Sequence, residues 1–288
     1  MTASSSVPVS SPVPVSSPAP VSSPAQASSS ALAPAPPLPV GGGDGDVVER
    51  GFFDRPAVEV APELLGCVFE RESPEGIVAV ELTEVEAYLG SADPASHAYR
   101  GQTARNAVMF GPPGHAYVYL TYGMHFCVNL VCQPPGTASA VLLRAGKVIA
   151  GEELARARRE RRAGAIAGRD LARGPARLCQ ALGIDRALDG ADVCAADSSL
   201  RIRRLGTSNH CRYESGPRVG VSSGADVAWR YWVPGEPSVS VYRAHVPKKR
   251  KRLPPPDVEM APCRRGRHHR RTILARSHRH SHRSRRTP

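Results

Sequence analysis

Hydrophobic periodicity is readable between about Val48 and Val246 and absent on either side. Over Ile77 to Tyr88, Val78, Val80 and Leu82 alternate with Ala79, Glu81 and Thr83, which predicts a strand that shares Val80's face with Glu84, Glu86 and Tyr88. Ala116 to Val131 holds two β-rich runs, Tyr117 to Thr121 and Phe126 to Val131. Tyr122, Gly123, Met124 and His125 between them suit a hairpin tip. Further strands are expected at Ala138 to Ala145, Arg218 to Val221, Trp229 to Val233 and Ser238 to Tyr242. Pro62 to Gly66 reads as a short helix with proline near its start and glycine at its end. Glu152 to Arg162 reads as a charged helix, and Pro175 to Leu182 as another, with Gly183 past its end. Strands and helices do not alternate regularly. The pattern therefore predicts an α+β fold: a single compact domain with a mixed, mainly antiparallel sheet and a protruding β-hairpin.

Composition divides the chain into three. Residues 1–47 are mostly Pro, Ser, Ala and Val, with a repeated Val-Pro-Val-Ser-Ser-Pro unit and no charge before Asp44; such chain cannot offset its ordering entropy and is expected to be a disordered tail. Residues 48–246 are the expected folded domain. From Pro247 to Pro288 there are 15 Lys and Arg against 2 Asp and Glu, leaving 23 basic and 24 acidic residues elsewhere. The strongly basic balance thus belongs to residues 247–288, an expected disordered arm with salt-sensitive affinity for polyanions, and not to the body. No apolar run is long enough to cross a membrane, and the prolines and missing basic start argue against a secretory signal. Seven cysteines without a Cys-x-x-Cys pair suit a reducing compartment. No metal or cofactor is expected.

Three features could carry chemistry. Carboxylates at Glu84 and Glu86 on an otherwise apolar strand face are costly unless hydrogen-bonded or placed at a cleft. They mark either a strand running out into solvent or a pocket mouth beside Tyr88, where a carboxylate could orient water at an anomeric carbon. Tyr122 at a turn is either an ordinary strand aromatic or a wedge that enters a duplex. Gly174-Pro175 opens a helix whose N–H groups could meet a phosphate, a weak signal by itself.

Taken in order, several segments carry a resemblance. They are Phe53-Asp54-Arg55-Pro56-Ala57, Leu64-Leu65-Gly66, Thr83 to Gly90, Asp93, His97, Thr103-Ala104-Arg105-Asn106, and Gly114 to Met124. Phe126-Cys127-Val128-Asn129, Val141 to Ala145, Gly174 to Leu182 and Arg218-Val219-Gly220-Val221 follow. Together they resemble the alkyladenine (3-methyladenine) DNA glycosylase family, the type without a helix-hairpin-helix motif. The resemblance implies a base-excision-repair enzyme that flips alkylated or deaminated purines out of double-stranded DNA and hydrolyses the N-glycosidic bond without strand cleavage. It implies Glu86 as the base that activates water. Tyr88, His97, Tyr119, Asn129, Leu142 and Val219 would form the base pocket, with backbone N–H groups of His97 and Val219 meeting the base edge. Tyr122, Met124 and Arg144 would contact DNA. It also implies a monomer, active without cofactor on damaged-purine DNA, and located in the cytoplasm at the nucleoid or, in a eukaryote, in the nucleus. The alternatives are a non-catalytic nucleic-acid-binding protein of the same fold and a metal-dependent nuclease using Glu84 and Glu86.

Overall fold

The computed structural model of the chain describes residues 45–160, 164–206 and 211–246. In chain order the elements are β1 (Asp46–Val47), α1 (Arg50–Phe53), α2 (Ala57–Leu64), β2 (Val68–Ser73), β3 (Gly76–Leu89), β4 (Ala116–Thr121), β5 (His125–Cys132), β6 (Ser139–Ala150), α3 (Glu152–Glu160), α4 (Pro175–Leu182), β7 (Leu200–Arg204), β8 (Glu214–Gly216) and β9 (Arg230–Trp232). One sheet runs β1-β7-β2-β3-β6-β5-β4, with β9 added to β3 and β8 to β9; all of these pairings are antiparallel. The α+β expectation holds, and β4 and β5 form the expected hairpin. Residues 1–44 and 247–288 of the expected tails, and Arg161-Arg162 at the end of the charged helix, lie outside the described residues; Asp46–Val47, expected in the first tail, pair with β7 as β1.

Helix α2 starts earlier than Pro62 suggests. Ala57, Val60, Ala61 and Leu64 recur at helical spacing and are all buried, so their apolar stripe sets the helix and Pro62 is carried inside it. Helix α2 packs on β3 and β6, while α4 packs on β5 and β6. Facing them, Ala116 and Val118, Val128 and Leu130, and Val141 and Leu143 supply the sheet's half of the core. Their neighbours Tyr117, Asn129 and Leu142 therefore project to the opposite side.

Strand β3 changes sides partway along. β2 pairs with it as far as Glu81 and β9 takes over at Glu84–Glu86, while the β6 register slips between Leu82 and Glu84 and again between Glu84 and Val85. Before the slip Val78, Val80 and Leu82 enter the core; after it Val85 and Ala87 do. One extra residue inverts the period-two pattern. Glu84, Glu86 and Tyr88 consequently leave the face of Val80 and Leu82 that strict alternation predicted for them and turn to the other side of the sheet. That inversion makes the site.

Two further expectations give way. Residues 218–221 hold a turn at Val219-Gly220 and no strand, and residues 238–242 make no ladder; the nearby strands are Glu214–Gly216 and Arg230–Trp232. Glu86 and Glu84 side chains accept from the backbone of these segments, and a backbone bond from Gly220 to Arg243 links the first to the residue just past the second.

Candidate active site

The register lines up four side-chain positions across the face away from the helices. Glu86 pairs with Leu142, Leu142 with Asn129, and Asn129 with Tyr117. Three strand spacings of about 4.8 Å make this row roughly 14 Å long, enough for a nucleoside to lie across it. Tyr117 and Tyr119 stack at 5.3 Å between centroids, and His97 packs edge-on against Tyr119 at 4.5 Å. The His97 ring also meets the Tyr117 hydroxyl through Nδ1 at 3.2 Å. Asn106, buried beneath, donates to the carbonyls of His97 and Gly101 and accepts from the N–H and hydroxyl of Thr103. The loop bearing His97 is thereby tied into a fixed wall. Partial burial and the Arg105 cation hold the His97 imidazole below its ordinary range, so it is neutral near pH 7.

Glu86 stands at the other end of the row and is completely buried. Its Oε1 accepts the Val219 N–H at 2.7 Å; its Oε2 accepts the Tyr88 hydroxyl at 2.8 Å and lies 3.3 Å from Nη1 of Arg144. Burial and the adjacent Glu86 charge push the Tyr88 phenol well above its ordinary pKa, which keeps it a donor. Val219 is held by its neighbour. The Arg218 guanidinium is fully buried, binds both oxygens of Asp93 at 2.5 and 2.8 Å, and lies between the rings of Tyr88 and Trp229 at 4.6 and 5.1 Å.

Glu84, also completely buried, is engaged on both oxygens. Oε1 accepts from Nε of Arg144, Nε of Arg230 and the Ser240 hydroxyl, and Oε2 from the Ser240 N–H. Burial alone would raise this carboxyl's pKa, but Arg144 and Arg230 outweigh it and hold it below the ordinary value.

The sequence-predicted residues thus fall into two groups. Glu86, Tyr88, His97, Tyr119, Asn129, Leu142 and Val219 converge on one face. Tyr122 and Met124 sit on the hairpin tip, 82% and 62% exposed. Tyr122 has φ 51° and Gly123 φ 70°, a tight reversal that suits glycine and puts the tyrosine outward. Arg144, expected to contact DNA, is 7% exposed and pairs with Glu84 and Glu86, because two buried carboxylates beside it demand a cation. The Val219 N–H, expected at the base edge, is given to Glu86. Reasoning from sequence missed Arg218, Arg230 and Ser240; the carboxylate that each one meets lies more than 100 residues away, and no spacing rule signals such contacts.

A family model described as methylpurine-DNA glycosylase (MPG) matches residues 51–237, nearly the whole sheet and this face. The chain belongs to the methylpurine-DNA glycosylase family. Relatives bearing the name "Putative 3-methyladenine DNA glycosylase" agree with it at length. The one from Streptomyces avermitilis is 54% identical over 210 residues, 72% of this chain and 97% of its own. Those from Leifsonia xyli and Burkholderia lata are 54% and 48% identical over 201 and 207 residues, covering 68% and 72% of this chain and 92% and 95% of theirs. Membership places the protein among DNA-repair glycosylases, whose substrate is DNA. Among the described residues no helix is long and apolar enough to cross a membrane.

Proposed function

We propose that this family member excises alkylated or deaminated purines, the class of 3-methyladenine, 7-methylguanine, hypoxanthine and ethenoadenine, with Glu86 as the general base. The observation that carries this reading is the arrangement of Glu86's donors. A carboxylate offers about four acceptor positions; Tyr88 and Arg144 approach Oε2, and Val219 occupies one position on Oε1. The second position on Oε1 is where a water proton would be received. In the reaction, water oxygen bonds to C1′ of the everted nucleoside as Glu86 takes its proton. The C1′–N bonding pair leaves with the base, and a reducing-end sugar remains.

Base flipping costs a few kcal/mol and least at damaged pairs, and Tyr122 on the hairpin would fill the gap. The Tyr119 ring, backed by Tyr117 and edged by His97, would offer its π surface to a cationic purine; Arg105 already lies 5.9 Å from its centroid, and Arg218 lies 4.6 Å from that of Tyr88. Cation–π attraction of about 0.5–2 kcal/mol would favour N-alkylated bases, which are also better leaving groups. Glu86 is completely covered, so nucleoside entry would have to displace a neighbouring group at the pocket rim.

Base release without strand scission is expected, as the only lysine of the described residues, Lys147, is exposed opposite Glu81, on the far stretch of β6 from Leu142. The test is incubation with duplexes each bearing one of these lesions, scored for free base and for strand breaks before alkali. Release of damaged purine from unbroken strands is the predicted result; no base released from any lesion would refute the reading in favour of a non-catalytic binder.

A further inference from the structure

The family match ends at residue 237, and the chain then lays residues 238–243 across the edge of the site. This strap has no backbone ladder to β3, yet it meets the slipped stretch of that strand side chain to side chain. The Ser238 hydroxyl pairs with that of Thr83 at 2.9 Å, both residues buried. Ser240 gives its N–H and hydroxyl to the two oxygens of Glu84, and its carbonyl accepts Nη2 of Arg230 at 3.1 Å. Arg173 secures the strap from the side through the Val239 carbonyl at 2.8 Å.

We propose that Ser240 is a positioning residue for Glu86, acting through Arg144. A guanidinium is a rigid plane, so fixing two of its nitrogens fixes the third. Nε of Arg144 is held by Glu84 at 3.0 Å and Nη2 is directed at the Ser240 hydroxyl at 3.5 Å; Nη1 is thereby aimed at Glu86 Oε2. The one hydroxyl donates to Glu84 and accepts from Arg144, closing the chain Glu84–Ser240–Arg144–Glu86. The strap reaches the other carboxylate oxygen as well: Gly220, beside the Val219 that binds Oε1, donates to the Arg243 carbonyl at 3.0 Å. Two of the three donors to Glu86, Arg144 and Val219, thus rest on Ser240 and Arg243, beyond the end of the family match, while Tyr88 does not. Without the hydroxyl, Arg144 can pivot about its bond to Glu84, and Glu86 loses its fixed aim.

This inference rests on Glu86 being the working carboxylate, so the experiment runs three full-length variants together: Ser240→Ala, Ser240→Thr and Glu86→Gln. Each is measured for the saturated single-turnover rate on a hypoxanthine duplex and for affinity toward a duplex carrying a tetrahydrofuran abasic site. Ser240→Ala is expected to slow excision about tenfold with affinity within about twofold, and Ser240→Thr, which keeps the hydroxyl, to restore the rate to within about threefold. A Ser240→Ala rate within about twofold of the parent, an equal loss in both Ser240 variants, or an affinity loss matching the rate loss would overturn the proposal. An active Glu86→Gln would refute the Glu86 reading itself and this inference with it; an inactive Glu86→Gln beside a normal Ser240→Ala would refute the strap's role alone.

Discussion

Replacing Arg218 by leucine probes the tie that places the Val219 N–H on Glu86. The guanidinium is fully buried, paired through two nitrogens with an Asp93 that is 1% exposed, and bonded to the Ala87 carbonyl at 3.0 Å. It also lies against Tyr88 and Trp229. Removing one partner of a buried ion pair leaves a bare charge and costs about 3–5 kcal/mol; the ring contacts overlap with that figure rather than add to it. For a domain of this size each kcal/mol lowers Tm by about 2–4 °C, so Arg218→Leu should lower it by roughly 6–20 °C. Calorimetry and urea unfolding would measure both quantities. Adding Asp93→Asn should recover about 1–2 kcal/mol of the loss, since the bare charge is gone. Asp93 holds the N–H groups of Leu89 and Ala95 on separate oxygens at 3.3 and 3.0 Å, and the single amide oxygen of asparagine keeps one of these two bonds. A single-variant cost below about 1 kcal/mol, the range of surface changes, would refute the idea that this pair anchors the turn.

Tyr122→Asn should stabilise the protein by about 0.5–1 kcal/mol, because asparagine tolerates the left-handed backbone at φ 51°, while lesion-DNA affinity falls with the wedge; equal affinity in a binding titration would count against the wedge. NMR should find the His97 imidazole titrating below 6.5. Because its folded value is depressed, the stability it contributes is full above the unfolded value and erodes as pH falls from there toward the folded one; a titration above 6.5 would contradict the packed environment. Ending the chain at residue 246 should flatten the salt dependence of DNA affinity and leave the saturated excision rate unchanged; a slower chemical step would bring residues 247–288 into the site.

Much of this was legible wherever local pattern sufficed. The hairpin runs fell within a residue of β4 and β5, and Pro175–Leu182 coincides with α4 because its proline start and glycine stop are local signals. Strands β2 and β7 went unread because Glu70, Glu72, Arg201 and Arg203 give them the look of solvated chain; across the sheet, Arg201 binds Glu70 and Glu72, and Arg203 lies beside Glu70. Glu84 and Glu86 stood out as buried-strand carboxylates, but alternation assigned them to the wrong face. The slip opposite Gly146 and Ala145 exists only in register with β6, which no reading of β3 by itself contains. The pairing of Arg144 was hidden for a similar reason: its charge is visible in the sequence, and its nearness to the two buried carboxylates is not.

The account turns on Glu86 Oε1 taking a proton from water beneath an everted nucleoside. Glu86→Gln keeps the side chain's shape and removes its basicity, so a single-turnover released-base assay on lesion duplex at saturating enzyme tests it most directly. Excision should fall by at least about a hundredfold while abasic-duplex affinity stays near that of the parent. Excision at close to the parental rate would contradict it.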